Sequence, residues 1–179
     1  ELDFDSVNVI FLCMGHGASK TFVESHDIPQ EVKIIDLSHD YRLNGQHDFV
    51  YGLPELQKQA IVDAKYIANP GCFATAIQLA LLPLAANLML TNDVHLHAIT
   101  GSTGAGQKPT STSHFSWRNS NVSVYKAFEH QHLGEITQSL VHLQNSFNKD
   151  INFVPVRGNF SRGILVSAYT TAESDIEDL

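Results

Sequence analysis

The chain has 179 residues, of which 43% are hydrophobic and 17% charged, and its formal net charge at pH 7 is −8. This composition is typical of a globular protein of one or two domains. The negative charge argues against a nucleic-acid partner, because few basic groups are available to neutralise phosphates. No apolar run reaches the length of a membrane span, so no membrane partner is expected. Cys13 and Cys72 make no disulfide framework, which favours free thiols and a cytoplasmic location.

Both ends of the sequence resemble cuts through a longer protein. The chain opens ELDFDSVNVIFLC, without Met and with an apolar run almost at once, and it closes AYTTAESDIEDL just after another apolar run. We therefore expect an internal fragment with no signal peptide before the fold, and processing of a mature protein is the alternative.

The first part of the chain contains three short apolar runs, at residues 7–13, 32–38 and 64–70. Wholly apolar strands that alternate with partly helical spacers predict a parallel sheet. The first run places Cys13 inside a strand and ends in the turn GHGAS, residues 15–19, where a helix can begin.

The segment NPGCFATAIQLALLPL, residues 69–84, predicts a helix that begins near Cys72. Asn-Pro-Gly favours a turn, and Ile77, Leu81 and Leu84 recur at helical spacing. The first turn of a helix stabilises an anion, and the thiolate is the nucleophilic form of cysteine. The position alone favours the alternative, a small buried residue at a strand–helix junction, because buried inert cysteines are common.

The second part of the chain has a different pattern. Alternation with period two predicts a sheet with one solvated face, usually antiparallel, and the spacing of residues 132–147 predicts a helix. Residues 101–120 are rich in Gly, Ser and Thr but keep aromatic residues, which indicates a functional loop. The predicted strands are residues 94–100, 121–128, 153–156 and 163–170.

Two histidine pairs, His95/His97 and His130/His132, raise the question of a metal site. The sequence has no C-x-x-C and no H-E-x-x-H, and ten histidines form such pairs by chance, so no metal is expected. The better hypothesis is that His130 or His132 is an acid–base partner of Cys72.

The glycine-rich loop GSTGAG, residues 101–106, directly follows a predicted strand. Such a loop can present N–H groups to an anion, or it can be a flexible hairpin, and Lys108-Pro109 excludes a P-loop. Several cations near the loops could bind an anionic substrate, and we favour Lys108 and Arg118. The full set is Arg42, Lys108, Arg118, Lys126, Arg157 and Arg162.

In their order along the chain, these segments resemble the N-acetyl-γ-glutamyl-phosphate reductases, the NADPH-dependent acyl-phosphate reductases of arginine biosynthesis. NPGCFAT, residues 69–75, is similar to that family's active-site segment Asn-Pro-Gly-Cys-aromatic-x-Thr, where the related aspartate-semialdehyde dehydrogenases carry Asn before the cysteine. The matches run from about residue 11 to residue 165. The other similar segments are HGAS at 16–19, DLSHDYRL at 36–43, YGLPEL at 51–56, GSTGAG at 101–106, HQHLGEI at 130–136 and RGI at 162–164.

The resemblance implies an α/β plus α+β architecture. A partial Rossmann-like dinucleotide-binding domain, residues 1–70, would be joined to a truncated catalytic domain like that of glyceraldehyde-3-phosphate dehydrogenase, residues 71–179. It also implies a small-molecule acyl phosphate as substrate, and we expect a homo-oligomer, a dimer or a tetramer. The family's N-terminal glycine-rich loop and its C-terminal Gly-Ala-Ala-Gly region have no counterpart in this sequence, and Gln131 replaces an arginine.

The resemblance further implies roles for individual residues. Cys72 would be the nucleophile that forms a thioester, and His130 would be the acid–base group. The expected coenzyme contacts are His16, Gly17, Ser19, Ser102 and Gly104, and the expected substrate contacts are His132, Lys108 and Arg118. Two alternatives are a reductase of another acyl phosphate, aspartyl or N-acyl-aminoadipyl, and an inert domain used for assembly.

Overall fold

The computed structural model describes residues 3–172 and divides the chain into two compact units, Glu1–Gly71 and Cys72–Leu179. The first unit contains a four-stranded sheet in which every pairing is parallel. This agrees with the parallel sheet that the apolar runs predict. Its strands are β1 (Val9–Leu12), β2 (Lys33–Asp36), β3 (Val50–Tyr51) and β4 (Tyr66–Ala68), in the order β1-β2-β4-β3, and its helices are α1 (Ala18–Ser25) and α2 (Pro54–Asp63).

The core of the first unit is formed by Leu12, Ile28, Val32 and Ile34, all buried. The strand predicted for residues 7–13 is shorter than expected, because β1 ends at Leu12. Cys13 therefore lies after the strand and is exposed, which corrects its predicted place inside an apolar strand.

The second unit contains a mixed four-stranded sheet, in the order β6-β7-β5-β8. β5 pairs with β7 in parallel and with β8 antiparallel. The expected antiparallel sheet is therefore only partly correct. Two parallel strands need a crossover connection, and the helix between β6 and β7 is part of the connection that brings the chain back to the start of the sheet. The strands are β5 (Val94–Thr100), β6 (Ser123–Val124), β7 (Ile151–Arg157) and β8 (Ile164–Tyr169).

Two longer helices of the second unit, α3 (Cys72–Ala86) and α5 (His132–Leu143), pack against each other, and α3 also contacts β8. Their apolar positions Ile77, Leu81, Ile136 and Leu140 are buried. α5 ends before the predicted residue 147, because its C-cap Gln144 leaves the helical conformation and its side-chain amide bonds the backbone N–H and C=O of Leu90, at 3.2 and 2.9 Å.

The strand predicted for residues 121–128 shrinks to the two residues of β6. Lys126 and Phe128 have φ values of 46° and 62°, in the left-handed region, and a strand cannot continue through such residues. The loop 101–120 contains a 3₁₀ turn, Ser102–Ala105, and a short helix α4, Phe115–Arg118. Within residues 3–172 no helix has both the length and the apolar character needed to cross a bilayer.

One face of the second sheet carries several exposed apolar side chains. Ile99 pairs with Leu165, and His95 pairs with Tyr169, whose ring stacks on the imidazole at 5.2 Å. Paired residues share a face of the sheet, and alternate residues of β5 between them are buried on the other side. We call the surface formed by His95, His97, Ile99, Leu165 and Tyr169 the open face.

Candidate active site

Cys72 is the first residue of α3, and its side chain is exposed. The next two residues, Phe73 and Ala74, are buried and anchor the start of the helix. The predicted helix start is therefore correct, while a buried position for Cys72 is excluded. The thiol lies on the wall of a cavity of about 230 Å³, whose lining residues are Cys72, Thr100, Gly101, Thr103, Gly104, Arg162, Gly163 and Ile164.

The glycine-rich loop at this cavity is packed tightly against the segment before β8. A Cβ atom on Gly101 would lie 2.6 Å from the carbonyl oxygen of Ser161, so only glycine fits there. The amides of Gly101, Ser102 and Thr103 donate to the carbonyls of residues 163, 160 and 161. These N–H groups are not available to an anion, which corrects the idea of an anion-presenting loop. The structure brings Gly104 beside Cys72, whereas the Ser102 hydroxyl bonds the Phe160 carbonyl.

His130 is buried just before α5, among aromatic rings. Its Nδ1 accepts a hydrogen bond of 3.2 Å from the backbone N–H of His132, so the neutral ring carries its proton on Nε2. Burial, followed by the neighbouring charge of His132, lowers the pKa of His130 from 6.5 to about 4. The imidazole is therefore neutral at pH 7.

The His130 ring stands edge-on to Phe73, the residue that follows Cys72, with centroids 5.4 Å apart. This contact places the histidine in the same unit and at the same helix end as the thiol. His132 is also buried, and its Nε2 lies 3.9 Å from a carboxylate oxygen of Glu135, one turn along α5. The catalytic roles of His130 and His132 stay predictions.

Tyr125 is a residue of this region that the sequence did not single out, and it contacts Arg157, one of the six candidate cations. The Arg157 guanidinium lies 4.4 Å above the centre of the Tyr125 ring. Burial raises the pKa of Tyr125, Arg157 opposes this through its charge and a hydrogen bond, and the charge of Cys72 adds to the rise. The phenol thus lies within electrostatic reach of both Arg157 and Cys72. Which residues surround Arg157 depends on the register between its strand and the neighbouring strands, and the sequence alone does not give that register.

Arg118 holds the loop in place. Its guanidinium donates to the carbonyls of Asn121, Arg157 and Thr112 and to the Ser123 hydroxyl, at 2.7 to 3.2 Å. With these donors bonded within the protein, this geometry favours bracing of the loop over binding of substrate. Lys108 is exposed in the same loop. The substrate roles of Arg118 and Lys108 stay predictions.

The expected coenzyme residues of the first unit surround the start of α1. His16 is exposed and its ring stacks on His39 at 3.8 Å, and Gly17 has a φ of 79°. The Asp40 carboxylate accepts the amides of Gly17 and Lys20, and these bonds outweigh burial and lower the pKa of Asp40. The Asp40 carboxylate thus caps the N-terminus of α1. A phosphate bound at the same place would be repelled by the negative charge of Asp40.

A ring nitrogen of His16, a ring nitrogen of His39 and a carboxylate oxygen of Asp40 lie within 4.8 Å of one another. The His16 Nδ1 accepts the backbone N–H of His39, and both Asp40 oxygens accept amide bonds. The bond to Nδ1 uses the lone pair of the neutral His16 ring, whose Nε2 then carries the proton, so His16 has no lone pair left for a metal and we assign no metal to this cluster. The Ser19 hydroxyl is buried without a hydrogen-bond partner in the described structure.

Family models match both parts of the chain. Residues 72–179 match the model described as semialdehyde dehydrogenase, dimerisation domain, and residues 1–64 match the model described as semialdehyde dehydrogenase, NAD binding domain.

Curated relatives carry the name that the sequence motifs suggest. A protein from Parabacteroides distasonis named N-acetyl-gamma-glutamyl-phosphate reductase is 61% identical over the full chain, and one of the same name from Bacteroides thetaiotaomicron is 58% identical. The resemblance that the motifs indicate is therefore confirmed. The chain covers 56% of each of these two relatives, so it spans about half of their length.

Solved structures of related enzymes share the fold. Aspartate semialdehyde dehydrogenase II from Vibrio cholerae has a TM-score of 0.71 at 16% identity, covering 98% of this chain and 59% of its own. The aspartate semialdehyde dehydrogenase from Francisella tularensis has a TM-score of 0.70 at 14% identity, covering 97% of this chain and 62% of its own. The α/β plus α+β architecture is thereby confirmed.

Proposed function

Because this chain belongs to the semialdehyde dehydrogenase family, we propose that it supplies the catalytic thiol of an NADPH-dependent N-acetyl-γ-glutamyl-phosphate reductase. The observation that carries the proposal is the exposed Cys72 at the first position of α3, on a cavity that Arg162 also lines. The names of relatives that are 52 to 61% identical support this substrate.

The chemistry begins at the Cys72 sulfur. The thiolate attacks the acyl carbon, the bond from that carbon to the phosphate oxygen breaks, and phosphate leaves with the electron pair. The helix N-terminus stabilises negative charge near the reacting carbonyl, and the Arg162 guanidinium on the cavity wall suits the departing phosphate. The result is a thioester on Cys72.

The thioester is then reduced and released. The hydride that converts it to a thiohemiacetal is the chemistry that NADPH supplies when bound. Neutral His130, with its proton on Nε2, can donate a hydrogen bond to the oxyanion that forms on the former thioester carbon. The carbonyl then re-forms as the carbon–sulfur bond breaks, and the electron pair of that bond returns to the Cys72 sulfur as thiolate. The product is the semialdehyde.

The coenzyme residues predicted in this chain fit NADPH only in part. His16 offers an exposed ring and Gly17 a backbone that a ligand can approach closely. The amides of Gly17 and Lys20 are bonded to the Asp40 carboxylate and those of residues 101–103 to backbone carbonyls, so these N–H groups are not free for a phosphate. We therefore keep His16, Gly17, Ser19, Ser102 and Gly104 as proposed contacts and derive no step from them.

The proposed function is tested by trapping the thioester in the full-length protein. Mixed with N-acetyl-γ-glutamyl phosphate without NADPH, the enzyme should release about one phosphate per active site, with the acyl group on the Cys72 peptide by mass spectrometry. Cys72→Ser should release none, and Cys13→Ser should behave like the wild type. A faster burst with aspartyl phosphate or an N-acyl-aminoadipyl phosphate would assign the enzyme to that substrate instead.

We further infer that copies of the second unit associate through the open face. Leu165 and Tyr169 are 69% and 64% exposed there. Neighbouring apolar side chains that are this exposed are typical of a surface that a partner covers. The family description as a dimerisation domain supports this surface. Leu165→Asp should shift the protein to monomer in sedimentation velocity, while Val62→Asp, which changes a similarly exposed residue of α2, should not. A dimer unaffected by Leu165→Asp would place the interface elsewhere.

A further inference from the structure

Arg157 stands at the edge of the candidate active site. It is the last residue of β7 and pairs with Thr100, the last residue of β5. Paired residues of neighbouring strands present their side chains on the same face. Thr100 is buried and lines the cavity of Cys72. The Arg157 side chain therefore lies on the same face of the sheet, next to the cavity wall.

Tyr125 holds the Arg157 guanidinium from one side. The phenol ring lies under the guanidinium, 4.4 Å from its central carbon to the ring centre. The tyrosine itself is fixed because its backbone N–H donates to the carbonyl of Pro155 on β7, at 3.1 Å. Stacking of this kind orients a guanidinium without neutralising its charge.

The charge of Arg157 has no carboxylate partner within residues 3–172. Its Nε is buried and has no hydrogen-bond acceptor in the described structure. The neighbouring His130 is neutral at pH 7, and the charge of Arg157 helps to keep it so. A half-buried guanidinium without an anion is costly, and proteins normally pair such a charge. An anionic ligand would supply the missing partner.

We propose that Arg157 binds a carboxylate of the substrate and that Tyr125 positions it for this. The inference rests on the proposed function, because N-acetyl-γ-glutamyl phosphate carries an α-carboxylate besides the acyl phosphate that Cys72 attacks. A guanidinium matches a carboxylate in a two-bond fork. Arg157, rather than the loop-bracing Arg118, is thus the cation that selects the substrate.

The test compares two aldehydes in the reverse direction, with phosphate and NADP⁺, in the full-length enzyme. These are N-acetylglutamate semialdehyde and its α-carboxamide, which lacks only the negative charge. The wild type should favour the carboxylate. Arg157→Met should raise KM for the carboxylate by roughly 10²-fold and leave KM for the amide nearly unchanged, so that the preference disappears. Lys149→Met, which removes an exposed charge of the same unit, should change neither KM.

Two further variants separate positioning from charge. Tyr125→Phe keeps the stacked ring but loses the hydroxyl, so KM for the carboxylate should rise only a few-fold. Arg157→Lys keeps the charge but not the fork, and its KM should fall between those of the wild type and Arg157→Met. Guanidinium ion added to Arg157→Met should restore part of the preference.

Equal loss on both aldehydes in Arg157→Met would overturn the proposal, since the arginine would then act on phosphate or on the thiol. The proposal also fails if Arg157→Met slows alkylation of Cys72 as much as it slows turnover. Failure of the proposed function looks different, because the wild type would then oxidise neither aldehyde.

Discussion

At the scale of single residues, the neutral state of His130 decides what this histidine can do. A buried imidazole with a pKa of about 4 and its proton on Nε2 is a neutral hydrogen-bond donor at pH 7, not a charged acid, and its Nδ1 lone pair is already used by the His132 amide. It therefore cannot hold Cys72 as a thiolate by its own positive charge. The thiolate has to rely on the start of α3 and on nearby cations such as Arg162.

Replacing His130 should reveal whether it takes part in the reaction. In the full-length protein, His130→Asn should lower kcat by roughly 10²–10⁴, the usual contribution of one acid–base group. His132→Asn should act more on KM. The double variant Cys72→Ser/His130→Asn should be little worse than Cys72→Ser alone, because groups that act as a unit are not additive. Additive losses in steady-state kinetics would show that the two residues work independently.

The same histidine should make the folded chain sensitive to acid. Its pKa is 6.5 when unfolded and about 4 when folded, so between these values the unfolded chain binds a proton that the folded chain does not. The contribution is fully present above pH 6.5 and is lost as the pH falls toward 4, a loss of roughly 3 kcal/mol. Urea unfolding followed by circular dichroism should show a steeper pH dependence for the wild type than for His130→Asn. Identical slopes would mean that His130 already titrates normally in the fold.

At the scale of elements, the start of α3 distinguishes two thiols that are otherwise alike. Cys13 and Cys72 are both exposed, so burial does not separate them. Only Cys72 sits at the N-terminus of a helix, where unpaired amides favour the thiolate.

Iodoacetamide at neutral pH should therefore alkylate Cys72 faster than Cys13 in the folded protein, as mapped by mass spectrometry. In urea, where the helix is lost, the two rates should converge. Faster labelling of Cys13 in the folded protein would contradict the assignment of Cys72 as nucleophile.

The elements also differ in how far the sequence predicts them. β1, β2 and β5 are predictable because their runs are wholly apolar or strictly alternating, and α3 is predictable from its turn and its spacing. The strand predicted at 121–128 is shortened by two residues with left-handed φ values. Neither of them is a glycine, so the sequence does not mark the position. The cluster of Tyr125 and Arg157 requires the register between β5 and β7, which a tertiary crossover sets and local patterns do not encode.

At the scale of the whole molecule, the chain carries the residues of the proposed thiol site but only part of what the proposed coenzyme site needs. The sequence lacks the family's first glycine-rich loop, and the start of α1 is capped by the Asp40 carboxylate. Pyrophosphate is normally seated on free amides at a helix start.

Calorimetry of the 179-residue chain with NADPH should accordingly detect no micromolar affinity, whereas the full-length protein should bind under the same conditions. Asp40→Asn would test the cause, since removing the charge should improve binding if repulsion contributes. Micromolar binding by the chain itself would mean that the loops at 15–19 and 101–106 are sufficient.

The order of strands in the second sheet has a consequence for how the protein is made. β5 is a central strand, yet both of its neighbours, β7 and β8, follow it in the chain. A ribosome working at about 5–20 residues per second needs seconds to add the segment 101–150, and during that time β5 is present without either neighbour. Long-range parallel pairing is also slow in itself. A nascent chain with unpaired apolar strands is the kind that chaperones bind, and β5 stays unpaired on one edge until β8 has been made.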